Sequence, residues 1–191
     1  PALNGAREAS PGTSGHPSGA ASSMNAVRPA RPGPSSVAQL EEAAKISNLF
    51  ERRRSLETAL GSLPKGDFPD GARKLIALGF NPSSAELRLL ISHWSILDAP
   101  AVYAFSQEED KVPGLLAAAI EEWGKQDFDA ALAKAMEIPG TRLRSQILDQ
   151  NLLQPLAADD PSRAFAEMGK CLPDLLPDAR PLVAVEILQK Q

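Results

Sequence analysis

One local pattern occurs twice in this chain, and it constrains the possible fold more than any other feature. It comprises a leucine, a tryptophan, an aspartate and two alanines, and each position recurs 29 residues later. The pairs are Leu87 and Leu116, Trp94 and Trp123, Asp98 and Asp127, Ala101 and Ala130, and Ala104 and Ala133. Self-similarity at a fixed period of roughly 20–50 residues is typical of stacked repeats. We therefore predict an all-α fold in which antiparallel helical hairpins stack as a short solenoid-like array.

Each copy predicts two helices and a very short connection. Before the first tryptophan, apolar residues at i, i+3, i+4 and i+7 form the buried face of an amphipathic helix. These residues are Leu87, Leu90, Ile91 and Trp94. The aspartate follows only four positions after the tryptophan, so the chain must reverse at once, and the aspartate side chain can cap the next helix. We expect the two alanines, three residues apart, to provide the close, flat surface on which the tryptophan packs.

A third, degenerate copy follows. Apolar residues from 143 to 156 predict its first helix, which Pro155 should end or kink. Asp160 stands in an Asp-Pro pair and is predicted to cap the partner helix. Ala166 takes the place of the second alanine, but Arg163 stands where both earlier copies have the first one. The period from the second aspartate to the third is 33 residues.

The chain before the repeats predicts an atypical end unit, as stacked arrays require. Apolar spacing indicates one helix over about 37–60, with Leu49 on its buried face. A second short helix is predicted over about 71–78, with Asp70 as its cap. The first repeat helix should then begin with a capping box formed by Ser83 and Glu86.

Composition divides the chain into two predicted parts. Residues 1–36 are rich in Pro, Gly, Ser and Ala, have a net charge of about +2, and contain too few apolar residues to offset the entropy of ordering them. They are predicted to be a disordered linker or tail. Residues 37–191 form the predicted helical repeat domain, with a net charge of about −6. Its apolar last helix, from Leu182, suggests that the array is cut short or closed by a cap. Because the chain begins with Pro1, we expect a fragment or a processed form, with an upstream anchor possible.

The W-x3-D-x2-A-x2-A hairpins resemble the tetratricopeptide-like α-helical repeats of many bacterial proteins. The resemblance covers about Leu87 to Cys171 and departs from the family in two respects. The periods of 29 and 33 differ from the usual one of about 34, and the Gly-x2-Tyr element after the first tryptophan is missing. The resemblance implies a scaffold whose groove or convex face binds a protein or peptide, and it supplies no catalytic residues.

Residues with reactive side chains are scattered rather than grouped. His93 lacks a histidine partner outside the predicted tail, and Cys171, as the single cysteine, excludes a disulfide framework and a multi-cysteine metal site. The clustered acids are explained by solvation and capping, and the arginines at 52–54 by a solvated helix face. We predict no catalytic residue, metal site or cofactor. The net charge of −4 argues against nucleic acid, and no run of about 18 apolar residues predicts a membrane span.

These observations favour a non-enzymatic scaffold or protein–protein interaction module with an unknown partner. Two alternatives stay open. The chain could be a fragment of a larger helical protein whose active or ligand-binding site lies elsewhere, or a small-molecule-binding helical sensor, which would need a deep apolar pocket between repeats. The sequence does not specify the oligomeric state, or whether the location is cytoplasmic or envelope-associated.

Overall fold

The computed structural model describes residues 36–171 and residue 174, and every regular element among them is a helix. The all-α fold class is therefore confirmed for this part of the chain. Apart from Ser36, the predicted tail lies outside the described residues, as does the predicted last helix. The elements are α1 (Ser36–Ala44), α2 (Leu49–Gly61), a 3-10 turn (Lys65–Asp67), α3 (Phe68–Ala77), α4 (Ala85–Glu108), α5 (Leu115–Gly124), α6 (Phe128–Met136), α7 (Thr141–Gln146), a π-helical segment (Ile147–Leu153), α8 (Gln154–Asp159) and α9 (Pro161–Cys171).

The prediction of one helix over 37–60 is wrong, because the chain breaks between α1 and α2. Asn48 adopts an extended conformation there, and its Oδ1 accepts hydrogen bonds from the amides of Phe50 (3.0 Å) and Glu51 (3.1 Å). This side chain caps a new helix in competition with continuation of the first one. Leu49 becomes the first residue of α2 and is exposed rather than buried.

Two further helix starts differ from the predicted ones. Helix α3 begins at Phe68, after the 3-10 turn, so Asp70 lies within its first turn and does not cap it. Helix α4 begins after Ser84, which forms no side-chain cap bond, and the predicted capping box of Ser83 and Glu86 is absent. The carboxylate of Glu86 instead accepts a hydrogen bond from α2, as described below.

Helix α4 contains the first hairpin, because its backbone leaves the helical conformation at one residue. Asp98 has φ −165° and ψ 77°, and helical geometry resumes immediately after it. The ring centroids of Trp94 and Phe105 are 5.3 Å apart. Eleven residues of straight helix would separate them by roughly 16 Å along the axis. The arms of α4, residues 85–97 and 99–108, therefore fold back on one another.

The same capping bond closes all three hairpins. The Oδ1 atoms of Asp98, Asp127 and Asp160 each accept a hydrogen bond from the amide three residues later, at 3.1, 3.0 and 3.0 Å. The backbone angles at the second and third aspartates, φ −143° and ψ 90° and φ −138° and ψ 86°, resemble those at the first. Each side chain thus satisfies an amide that has no partner within its own helix.

The predicted role of the repeated alanines is wrong for the second of each pair. Ala104, Ala133 and Ala166 are exposed, whereas Ala101 and Ala130 are partly buried and Arg163 is exposed. The buried residue stands four positions after each aspartate, as Val102, Ala131 or Ala164. With 3.6 residues per turn, a position two residues further on points to another side of the helix. The second alanine of each repeat is therefore an outward position.

Pro155 does not end the first helix of the third hairpin. The chain runs from α7 through the π-helical segment into α8, where Pro155 occupies the first turn. In a π-helix the carbonyl groups bond to amides five residues later. Pro155 stands in the first turn of α8, a position at which proline is well tolerated. The first helix of this repeat therefore continues through the π-helical segment.

Both repeat tryptophans are buried, and each packs against aromatic side chains within a core cluster that also contains alanines. Trp94 stacks on Phe68 of α3, with 5.9 Å between ring centroids. Trp123 meets the edge of Tyr103, in the second arm of α4, at 6.0 Å. The second arm of α4 faces two core clusters, because Phe105 belongs to the one around Trp94 and Tyr103 to the one around Trp123. Neighbouring hairpins are therefore in contact, which is compatible with a solenoid-like array.

Replacing Trp123 by alanine should destabilise the protein by about 3–5 kcal/mol, because a large buried ring is lost and a cavity remains. The matched control is Phe165→Ala, since this aromatic side chain is 62% exposed and its loss should change stability by no more than about 0.5 kcal/mol. Urea unfolding followed by circular dichroism measures both effects. Equal midpoints for wild type and Trp123→Ala would contradict the packing described here.

Two leucine substitutions on α6 test which alanine faces the core. Ala131→Leu should destabilise the protein by about 1–3 kcal/mol, because its site is fully enclosed. Ala133→Leu should change stability by no more than about 0.5 kcal/mol, because the added methyl groups extend into solvent. Thermal unfolding of the two variants side by side gives the result. If Ala133→Leu destabilised the protein more than Ala131→Leu, the burial predicted for Ala133 would be supported instead.

Candidate binding groove between α2 and α4

A groove with a volume of about 420 Å3 lies between α2 and the first arm of α4. We refer to it as the α2–α4 groove. It lies beside the first hairpin and is bordered on one side by α5. Its lining residues are Leu49, Phe50, Arg53, Leu56, Ala85, Glu86, Arg88, Leu89, Ser92 and Glu122.

Large apolar side chains remain uncovered in this groove. Leu56 is buried at its base and Leu89 is partly buried, but Leu49 is 60% exposed and Phe50 is 86% exposed. On α2, positions 49, 53 and 56 follow the i, i+4, i+7 spacing of one helical face. Scattered single apolar residues are ordinary on protein surfaces, whereas contiguous ones often indicate an interaction site. The groove is therefore our candidate binding site.

Two ion pairs and one amide hydrogen bond beside the groove join four helical segments. Arg52 Nη1 on α2 donates to Glu86 Oε1 on α4 at 2.8 Å. Arg88 Nη1, also on α4, donates to Glu121 Oε2 on α5 at 3.1 Å. Asn151 Nδ2, in the π-helical segment, donates to the same Glu121 oxygen at 3.3 Å. These bonds fix neighbouring helices at one relative position, because arginine–carboxylate pairs depend strongly on geometry.

A second carboxylate of α5 completes this network. Glu122 is buried and accepts from Lys125 Nζ at 2.6 Å and from Arg88 Nη2 at 3.4 Å. Burial alone would raise the pKa of Glu121, but Arg88 and Lys125 outweigh it and hold that pKa below its ordinary value of 4.5. The bond to Glu121 also raises the pKa of Arg88. The paired Glu121 and Arg88 are therefore both ionised throughout the neutral pH range.

Two other hollows are less suited to binding a large apolar group. A wider one of about 660 Å3 lies between α1 and α2, and Ile46 is the only large aliphatic side chain in its lining, among small and polar ones. Another of about 310 Å3 lies beside the turns at Asp98 and Asp127, with Ile96 and Leu97 at its edge. Neither combines uncovered aromatic surface with a row of ion pairs, as the α2–α4 groove does.

His93 and Cys171, the reactive residues considered in the sequence, lie on different helices. His93 is partly buried on the first arm of α4, and Cys171 is buried at the end of α9. Burial, with Glu167 and Asp174 nearby, raises the pKa of the Cys171 thiol to about 11, so the thiol is protonated at neutral pH and a poor nucleophile. Residues 36–171 and 174 contain no group of three or more His, Cys, Asp or Glu side chains that could hold a metal ion.

Asp149 is a buried carboxyl group in the π-helical segment. Gln154 Nε2 donates to its Oδ1 at 3.3 Å, and burial raises the pKa of Asp149. The residue does not line the α2–α4 groove. Asp149 lies between α7 and α8, in the π-helical segment that precedes Pro155. We assign it no binding role.

Among the helices that the structure describes, none has the length and apolarity needed to cross a membrane. The chain matches no protein-family model, no curated protein and no solved structure. The resemblance to tetratricopeptide-like repeats therefore rests on the residues of the hairpins themselves.

Sequence reasoning missed the groove because it assigned its residues to other roles. Leu49 was placed in the core and Glu86 in a capping box, and Phe50 received no role. The local signal was present: Asn48 can cap a helix, and the adjacent Leu49 and Phe50 then fall in an exposed first turn. No local signal points to the pairing of Arg52 with Glu86, which are 34 residues apart.

Replacing Glu121 by glutamine should destabilise the protein by about 1–3 kcal/mol at neutral pH, because Arg88 and Lys125 lose a charged partner. The pKa of Glu121 is lowered by folding, so its contribution is present above the unfolded value and is lost as pH falls through the folded value. The difference between wild type and variant should therefore shrink below about pH 4.5.

Urea unfolding at successive pH values measures this difference. The control is Glu57→Gln, since Glu57 forms an exposed pair with Arg53 on one helix and should contribute no more than about 0.5 kcal/mol. A difference for Glu121→Gln that stays constant as pH falls would show that the carboxylate charge does not stabilise the fold.

Proposed function

We propose that this chain is a non-enzymatic helical-repeat scaffold that binds a protein or peptide in the α2–α4 groove. The observation that supports this most directly is the exposure of Phe50, at 86%, beside Leu49. Leaving such side chains in water forgoes about 1.5–3 kcal/mol each, which a partner could recover on binding. Large aromatic anchors of this kind commonly dominate the energetics of interfaces.

The ion pairs beside the groove support a role in binding rather than in folding alone. They hold α2, α4 and α5 in register, so both walls of the groove are positioned before a partner arrives. Preorganised surfaces lose less conformational entropy on association than mobile ones. A scaffold function requires this kind of fixed surface.

A small-molecule sensor is less well supported than a protein-binding scaffold. The groove volume of about 420 Å3 falls within the range of ligand sites. Such sites usually enclose most of the ligand, however, whereas Phe50 projects almost wholly into solvent. Covering this side chain requires an extended partner surface, which a protein segment provides.

Photocrosslinking tests the proposal. A photoreactive phenylalanine analogue at position 50 should capture one or a few proteins from the cells that produce this chain, and the same analogue at position 165 should not capture them. Phe165 is a suitable control because it is also an exposed aromatic residue on a helix but lies on α9, away from the groove.

A pair of substitutions tests whether the captured proteins depend on Phe50. Phe50→Asp should abolish co-purification of the same proteins, whereas Phe165→Asp should retain it. An acidic residue is tolerated in the first turn of a helix, so Phe50→Asp should leave the thermal unfolding midpoint nearly unchanged. Identical protein sets for wild type and Phe50→Asp would contradict a binding role for the groove.

A further inference from the structure

An accessible positive charge borders the apolar part of the α2–α4 groove. The carboxylates in its lining, Glu86 and Glu122, are buried and already accept hydrogen bonds from cations. Arg53 differs from them, because its side chain is 73% exposed. Glu51, an exposed acid on the same helix, does not line the groove. A partner therefore meets an arginine first and no free carboxylate in the lining.

The existing partner of Arg53 can be exchanged readily. Arg53 Nε donates to Glu57 Oε1 at 3.0 Å, four residues along α2, and both side chains are largely in solvent. Exposed pairs of this type stabilise a helix by about 0.3–0.5 kcal/mol. A carboxylate brought by a partner and shielded at an interface would bind the arginine more strongly.

The apolar residues in the groove match the dimensions of a helix. From Leu49 to Leu56 the lining extends over eight residues of α2, or seven steps of roughly 10 Å in total along the axis. This distance equals the separation of positions i and i+7 on a partner helix. Helices that bind in apolar grooves present side chains at i, i+3 or i+4, and i+7.

Resting on the function proposed above, we infer that the α2–α4 groove binds an amphipathic helix that carries an acidic residue beside its apolar side chains. The apolar side chains cover Phe50 and Leu49, and the carboxylate pairs with Arg53. A second copy of this chain fits less well, because twofold pairing of the groove would bring two arginine-bearing rims to one interface. The net negative charge of the chain likewise opposes an anionic membrane surface.

A displayed library of helical peptides provides the probe. The peptides carry fixed leucines at i, i+3 and i+7 and random residues between them, and the selection includes counter-selection on Phe50→Asp. We expect Asp and Glu to be enriched next to the leucines. Arg53→Glu should weaken the binding of a selected peptide about tenfold, as loss of a close charge pair predicts. The same peptide with lysine in place of its acid should bind Arg53→Glu better than wild type.

Arg142→Glu is the matched control, because Arg142 is an exposed arginine on α7 outside the groove. It should leave peptide affinity unchanged, and thermal unfolding should show that both variants fold. The inference would be overturned if the selected peptides required Phe50 but were not enriched in Asp or Glu, or if Arg53→Glu left their affinity unchanged. Either result would leave the proposed function intact.

Three other outcomes would overturn it in favour of different occupants or none. Analytical ultracentrifugation showing a wild-type dimer that Phe50→Asp dissociates would identify a second copy. Binding to anionic vesicles that requires Phe50 would identify a membrane surface. Selection of no Phe50-dependent peptide would exclude a helical ligand, whereas the proposed function is decided separately by crosslinking at position 50.

Discussion

The capping bond of an aspartate at each hairpin turn determines how the rest of the described chain is arranged. At Asp98 the backbone departs from helical geometry for one residue, and its side chain satisfies an amide of the next turn. No loop is then needed between the two helices, so their relative rotation is nearly fixed. The residue four positions later, such as Val102 or Ala131, must face the core. Trp94 and Trp123, four positions before their aspartates, are buried by the same constraint.

Local hydrogen-bonding signals explain which parts of the fold could be predicted. The aspartate caps follow from spacing alone, because a cap involves residues three apart and depends little on the rest of the chain. The Asn48 cap is equally local, but the apolar spacing through Leu49 favours one continuous helix more strongly. The alanine error has a different origin. Recurrence of Ala104 as Ala133 was taken to mean burial, yet a repeated position can equally lie on the outer surface.

The candidate groove could not be predicted, because it depends on contacts between distant residues. Arg52 pairs with Glu86, and Arg88 with Glu121, across 34 and 33 residues of sequence. These separations are close to the spacing of the repeated sequence pattern, and in both cases the paired residues lie on helices that contact one another. The period therefore indicates which helices are neighbours, but it does not identify which charged side chains meet. The exposure of Phe50 likewise depends on how the helices assemble, and its sequence neighbours do not specify it.

The charge pairing within the fold also determines what the groove can accept. Burying Glu86 and Glu122 carries a desolvation cost that is offset only while their cations remain bonded to them. A partner that brought its own lysine or arginine would have to compete with those internal cations, and displacing one would leave a cation without its partner. A carboxylate meets only weak competition, since Glu57 holds Arg53 in an exposed pair. The interactions that hold the helices in register thus disfavour a basic ligand and leave a site for an acidic one.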